Sequence, residues 1–261
     1  MQIISLSPEH EHVYCVCLED WSDEVKEGGD HKAKWLAKMA AKGLRVKLAL
    51  DEKGQVGGMI QYVPIEESFI EGRGLYFIHC IWVHGHKQGR GNFQKKGMGT
   101  ALLEAAEADA RELGAKGMAA WGMALPVFMR ASWFRKHGYK KADALGLQIL
   151  LWKPFTEDAV PPRWIRDKKK PAPVAGRVTV TALVNGWCPG MNTAFERAKR
   201  AAAEFGDKVE FRAVDTFDRE VFREWGEPDA IFVDGKGIRM GPPPSYDKIR
   251  KTIARRVKKL G

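Results

Sequence analysis

Three places along the chain bring together residues that could do chemistry. In Gln94-Lys95-Lys96-Gly97-Met98-Gly99-Thr100, two lysines and two glycines open an apolar-periodic stretch. If that stretch is a helix, its first N–H groups lack partners and carry partial positive charge, which suits phosphate oxygens. Glycine at 97 and 99 removes side chains that would block the approach, and Lys95 and Lys96 add charge beside it. The simpler alternative is a tight turn that the same glycines shape. His79, inside a strand-like run, offers an imidazole that titrates near neutrality and suits proton transfer; a hydrogen-bonded core histidine is the competing reading. Cys188, between Trp187 and Pro189, falls where a helix should begin, and there the thiolate is favoured.

The elements that must position these groups can be read from periodicity. Gln2–Leu6, Arg45–Leu50, Gln55–Val63 and Leu75–Val83 are expected strands, and Asp51-Glu52-Lys53-Gly54 is a hairpin signal. Polar, helix-compatible stretches occupy Glu9–Trp21 and Asp30–Lys42. Thr100–Leu113 carries Leu102, Leu103, Ala106, Ala110 and Leu113 at helical spacing, and Gly114 ends it. A strand at Gly117–Gly122, a helix at Val127–Lys136 and a strand at Leu147–Trp152 follow. Strands and helices alternate, so the class is α/β.

The order strand, Q-x-x-G-x-G at Gln94–Gly99, amphipathic helix, short strand, then Phe134-Arg135-Lys136-His137-Gly138-Tyr139 resembles the GNAT superfamily of acyl-CoA N-acyltransferases over most of residues 1–155. The resemblance implies a mixed, splayed sheet flanked by helices. It implies that Trp82 and Val83 lend backbone groups to a pantetheine arm while Gln94, Lys95, Lys96, Gly97, Met98, Gly99 and Thr100 form the pyrophosphate cradle of acetyl-CoA. An amine of a small molecule or peptide would attack the thioester directly. Some members carry a catalytic histidine near the place of His79. Two departures stand out. The segment from Val83 to Gln94 is long and holds Gly85, Gly89 and Gly91, which suggests a movable lid. The position where many members carry a proton-donating tyrosine is Phe134, which has no proton to give.

Lys153–Arg177 holds five prolines and a lysine run, and divides the chain into 1–155, a linker at 156–177, and 178–261. The last part reads as strand Val178–Val184, helix Met191–Glu204, strand Val209–Val214, helix Arg219–Trp225, strands Ala230–Val233 and Ile238–Met240, and a helix from Ser245. With Trp-Cys-Pro-Gly after the first strand and Pro228 before a later one, it resembles a smaller thioredoxin-like α/β domain. Its fusion to a GNAT-like part is similar to the YoaP-like acetyltransferases. The resemblance makes Pro228 the cis-proline position. Met191 stands where dithiol members carry a second cysteine, which leaves a monothiol role for Cys188 or an inert remnant. The alternative to an acetyltransferase is therefore a thiol-binding or monothiol redox protein whose first domain only senses coenzyme A.

Four scattered cysteines without C-x-x-C spacing exclude a disulfide framework and a zinc knuckle. Cys80, His84 and His86 lack a fourth donor, so no metal site is expected. No apolar run reaches the roughly 18 residues of a membrane span, and the first residues lack a basic stretch followed by an apolar one; a cytoplasmic location is expected. The net charge of +10 arises largely at residues 246–261, where seven Lys/Arg meet one Asp. There Ile249, Ile253, Val257 and Leu260 share one stripe, so a solvated basic helix is expected rather than a nucleic-acid surface.

Overall fold

The computed structural model describes residues 1–166 and 168–260. Asp167, within the expected linker, and Gly261, at the end of the last segment, lie outside the described residues. The chain divides into two compact units, Met1–Trp21 with Ala37–Ile165, and Ser22–Leu36 with Arg166–Gly261.

In chain order the elements up to the second half are β1 (Gln2–Ser5), α1 (Glu11–Cys15), α2 (Asp23–Lys26), α3 (His31–Ala40), β2 (Arg45–Leu50), β3 (Val56–Pro64), β4 (Ile70–Glu71), β5 (Leu75–Val83), α4 (Met98–Glu112), β6 (Gly117–Met123), α5 (Ala131–Lys136), β7 (Lys140–Leu145), β8 (Gln148–Pro154) and β9 (Arg163–Trp164). The first unit is built on a seven-stranded sheet ordered β1-β2-β3-β5-β6-β8-β7. All its neighbouring pairs are antiparallel except β5 with β6, so the sheet is mixed.

β5 pairs with β3 from Tyr76 opposite Pro64 to Val83 opposite Gly58, with a register shift that skips His79. Its pairing with β6 stops at Ile78 opposite Ala120, although β6 stays paired with β8 as far as Met123. From His79 onward the two central strands part, and the backbone of Cys80–Val83 on that side has no ladder partner in β6. The sheet is splayed, as expected.

α4 crosses this sheet and buries Leu102, Leu103, Ala106 and Ala110 against Ile60, Tyr62, Ile78, Met118 and Ala120. Gly114, with φ of +78°, ends the helix in the left-handed region that glycine adopts without strain. A polar clamp fixes the helix. Asp109 accepts from Arg45 Nε and Nη2 (2.9 and 2.8 Å), Lys47 Nζ (3.0 Å) and Tyr62 Oη (2.7 Å). Burial opposes the charge of Asp109, but these bonds outweigh it and hold the carboxyl well below the usual carboxylate range.

The second unit contains β10 (Val178–Val184), α6 (Pro189–Ala203), β11 (Val209–Asp215), α7 (Arg219–Trp225), β12 (Ala230–Val233), β13 (Lys236–Ile238) and α8 (Tyr246–Val257). Its sheet is ordered β11-β10-β12-β13, with β10 and β11 parallel and the other neighbours antiparallel. α6 and α8 bury Ala194, Ala198, Ala201, Ile249 and Ile253 against β10 and β12. Residues 22–36 belong to this unit too, which no feature of composition signals. Arg197 donates to Glu24 Oε1 (2.8 Å) and Glu27 Oε1 (2.7 Å), and His31 Nε2 lies 2.7 Å from Glu196 Oε1. Among the described residues the one cis peptide is Gly241–Pro242, so Pro228 does not take the cis form its sequence position implied. Its carbonyl instead accepts from Thr216 Oγ1 at 2.5 Å.

Candidate active site

The parting strands and the start of α4 come together around Val83. Gln94 Nε2 donates to the Val83 carbonyl (3.3 Å), and its backbone N–H donates to Asn92 Oδ1 (2.9 Å). The loop before α4 is thereby tied to the free end of β5. Lys95 and Gly97 both have positive φ, +62° and +81°, and Gly97 serves as the helix N-cap without any side chain bonding the first turn. The N–H groups of Met98, Gly99 and Thr100 therefore meet no capping side chain.

A Cβ on Gly97 would enter open space, whereas one on Gly99 would approach Trp133 Cζ2 at 3.5 Å and Val83 Cγ2 at 3.8 Å. The open side is at Gly97, and Lys95 and Lys96 are exposed beside it. Met98 points inward and is buried. Thr100 Oγ1 lies 3.1 Å from His137 Nε2, and His137 Nδ1 lies 2.9 Å from the Trp133 carbonyl. A carbonyl only accepts, so Nδ1 carries the proton and Thr100 donates to Nε2. An uncapped 15-residue helix flanked by two lysines, with an open glycine at its start, fits a diphosphate.

His79 sits apart from this opening. It is 2% exposed, with its ring edge-on to Phe69 (4.9 Å) and Phe77 (5.3 Å). Burial pushes the imidazole down to about 3. A neutral ring enclosed by two phenylalanines does not meet a substrate amine, and this placement argues against the expected proton abstraction. Its backbone matters more. The His79 carbonyl accepts from Trp121 Nε1 at 2.8 Å, the bond that bridges β5 and β6 where they part.

The expected lid is anchored. His84 is fully buried, its Nδ1 bonds the Gly91 carbonyl (2.7 Å), and Trp21 Nε1 donates to its Nε2 (3.1 Å). Arg90 forms a two-pronged pair with Asp20, both contacts 2.8 Å. Phe93 packs over Gly57, where a Cβ would come within 2.5 Å of the ring. Both nitrogens of His84 are committed, and among the described residues no group of three His, Cys, Asp or Glu side chains could hold a metal ion. Phe134 is fully buried against Trp133 and Tyr139. Sequence reasoning missed Trp21, Asp20 and Glu19 as parts of this region, because it placed them in a helix. Left-handed Cys17 (φ +51°) and Leu18 (φ +66°) turn the chain out of α1 instead.

The family model of the acetyltransferase (GNAT) family matches residues 11–139, the stretch that carries α1, the parting strands, the cradle and α5. These residues form a GNAT acetyltransferase domain. No curated protein matches the chain. Solved structures similar to the GNAT domain include a GNAT family acetyltransferase from Brucella melitensis in complex with acetyl-CoA (19% identity, 62% of this chain and 94% of that one, TM-score 0.42). A putative GNAT acetyltransferase from Desulfovibrio desulfuricans follows at 18% identity, 59% and 99% coverage and TM-score 0.46. The PaiA N-acetyltransferase of Thermoplasma acidophilum in complex with coenzyme A gives 15%, 59%, 100% and 0.43. No helix of the described residues is long and apolar enough to cross a membrane.

In the second unit, Cys188 is the N-cap of α6 and forms no disulfide. Its carbonyl accepts from Met191 and Asn192 (3.1 and 3.0 Å). Asp229 braces the turn before it, accepting from the Asn185 N–H and from Trp187 Nε1, both at 3.1 Å. The surrounding protein pushes the Asp229 carboxyl up to about 7 against the pull of these two bonds.

Proposed function

We propose that the chain is an N-acetyltransferase that moves an acetyl group from acetyl-CoA to an amine. The carrying observation is the parting of β5 from β6 beside the uncapped start of α4. Amides of Lys95 to Thr100 hold the pyrophosphate, with Lys95 and Lys96 adding charge. The unladdered backbone of Trp82 and Val83 pairs with the amide-bearing pantetheine arm, as a third strand would. The amine nitrogen attacks the thioester carbonyl, the C–S bond breaks, coenzyme A leaves as a thiolate, and the proton shed by the nitrogen passes to solvent. With Phe134 buried, no side chain at that position protonates the thiolate, which is a good enough leaving group to depart unaided. General acid help would add roughly 10²–10⁴-fold.

Gly97→Glu tests the cradle, because it puts bulk and negative charge where Gly97 faces open space. Calorimetry on the folded variant should show acetyl-CoA binding at least tenfold weaker. Unchanged binding would remove the assignment.

For the second unit we propose a thioredoxin-like domain at 178–261, joined through 156–177 to a GNAT part at 1–155 and related to YoaP-like acetyltransferases. The strand order β11-β10-β12-β13 supports this, as does Cys188 at the start of α6. In this reading it helps to select the substrate, in the cytoplasm. A monothiol role for Cys188 is the second reading, favoured by the braced turn that presents it. Alkylation of Cys188 no faster than that of a free thiol at pH 7 would count against it.

A further inference from the structure

A run of rings lies at the free end of β5, which carries Trp82. Trp121 contacts Phe128 (6.0 Å between centroids), Phe128 contacts Trp82 (5.8 Å), Trp82 contacts His86 (6.3 Å) and His86 contacts Trp21 (6.3 Å). Phe128 and Trp21 are 42% and 41% exposed, large values for aromatic side chains. Trp82 Nε1 is buried and meets no acceptor among the described residues. Buried donors are rarely left so, and an acceptor atom of a bound molecule would satisfy this one.

One carboxylate belongs to the same cluster. Glu19 Oε2 lies 3.8 Å from His84 Nε2 and its Oε1 lies 4.0 Å from His86 Nε2. His84 cannot supply a proton to it, because its Nε2 accepts from Trp21 and its Nδ1 bonds Gly91. Among the described residues no lysine or arginine pairs with Glu19, while the neighbouring Asp20 is matched by Arg90. The side chain of Glu19 is only 18% exposed, so its charge is partly desolvated without a fixed cation. Two successive left-handed residues, Cys17 and Leu18, hold it there at a conformational cost, a device found where position matters.

We propose that Glu19 and the aromatic surface of Trp21, Trp82, Trp121 and Phe128 bind the acceptor, and that this acceptor is an alkyl diamine. This rests on the acetyltransferase reading. Aromatic faces and a carboxylate together select an ammonium on an alkyl stem. An ammonium gripped by a carboxylate keeps its proton, whereas attack on a thioester needs a nitrogen with a free lone pair. The gripped nitrogen and the reacting nitrogen are therefore different atoms of one molecule.

The test is calorimetry on the full chain with 1,4-diaminobutane and, as control, 4-aminobutyrate, each with and without coenzyme A. Diaminobutane should bind the wild type, bind Glu19→Gln at least tenfold more weakly, and bind Phe128→Ala several-fold more weakly. The aminobutyrate, whose far end is a carboxylate instead of a second amine, should bind at least tenfold more weakly than diaminobutane. Equal binding of both compounds, no binding of diaminobutane, or full affinity in Glu19→Gln would overturn the proposal. Acetyl-CoA binding, measured separately on each protein, reports on folding and on the acetyltransferase reading: its loss in the wild type sinks that reading, whatever the diamine does.

Discussion

Trp121 Nε1 donates to the His79 carbonyl at 2.8 Å, and beyond that bond the two central strands no longer pair. The indole takes over the place of a ladder bond at the mouth of the gap. Trp121→Phe keeps the ring stack and removes the donor, so urea unfolding should show a loss of about 1 kcal/mol, the worth of one such bond.

The His79 ring sets a pH dependence. Its folded value of about 3 lies below the ordinary 6.5, so the unfolded chain takes up a proton that the folded chain refuses. The stability linked to this ring is whole above pH 6.5 and declines as pH falls toward 3, by at most about 1.4 kcal/mol per pH unit. His79→Gln removes the effect. Comparing urea midpoints at pH 7 and pH 5, the wild type should lose more than the variant, while the pH profile of turnover should be the same for both.

Asp229 behaves in the opposite sense. Its carboxyl is raised to about 7 from 3.8, so its contribution is complete below 3.8 and is lost as pH rises through 7. Because Trp187 donates to it, the indole N–H resonance of Trp187 should titrate near pH 7 and stop doing so in Asp229→Asn. A resonance indifferent to pH in the wild type would contradict the bracing role.

Arg197 is 7% exposed and its partners Glu24 and Glu27 are 65% and 30% exposed in their side chains. Solvent screens part of that interaction, so Arg197→Ala should cost about 1–3 kcal/mol, below the range of fully buried pairs. Limited proteolysis should then find new cleavage between residues 22 and 36.

Where local pattern decides structure, the sequence was a good guide. The strands at 45–50, 75–83, 178–184 and 230–233 and the helix at 219–225 are as expected, because alternating or continuous apolar runs leave few other solutions. β7 was missed: Lys140-Lys141-Ala142-Asp143 carries little apolar signal, as edge strands facing water do not need it. The helix expected from Val127 begins only at Ala131, because Met129 is left-handed and Arg130 extended. Gln94 to Thr100 was legible since a glycine pattern before a helix is local. Glu19, Trp21 and His84 were not, because their meaning comes from contacts of up to 67 positions apart.

The salt bridges of Arg197 join residues 173 and 170 positions apart. During synthesis the stretch 22–36 leaves the ribosome early, yet its carboxylates gain their partner only after Arg197 has been made. It is made early and satisfied late. A fragment cut at the proline-rich segment would leave the second unit without Glu24 and Glu27, and Arg197 would keep a buried charge with no counterion from its own piece.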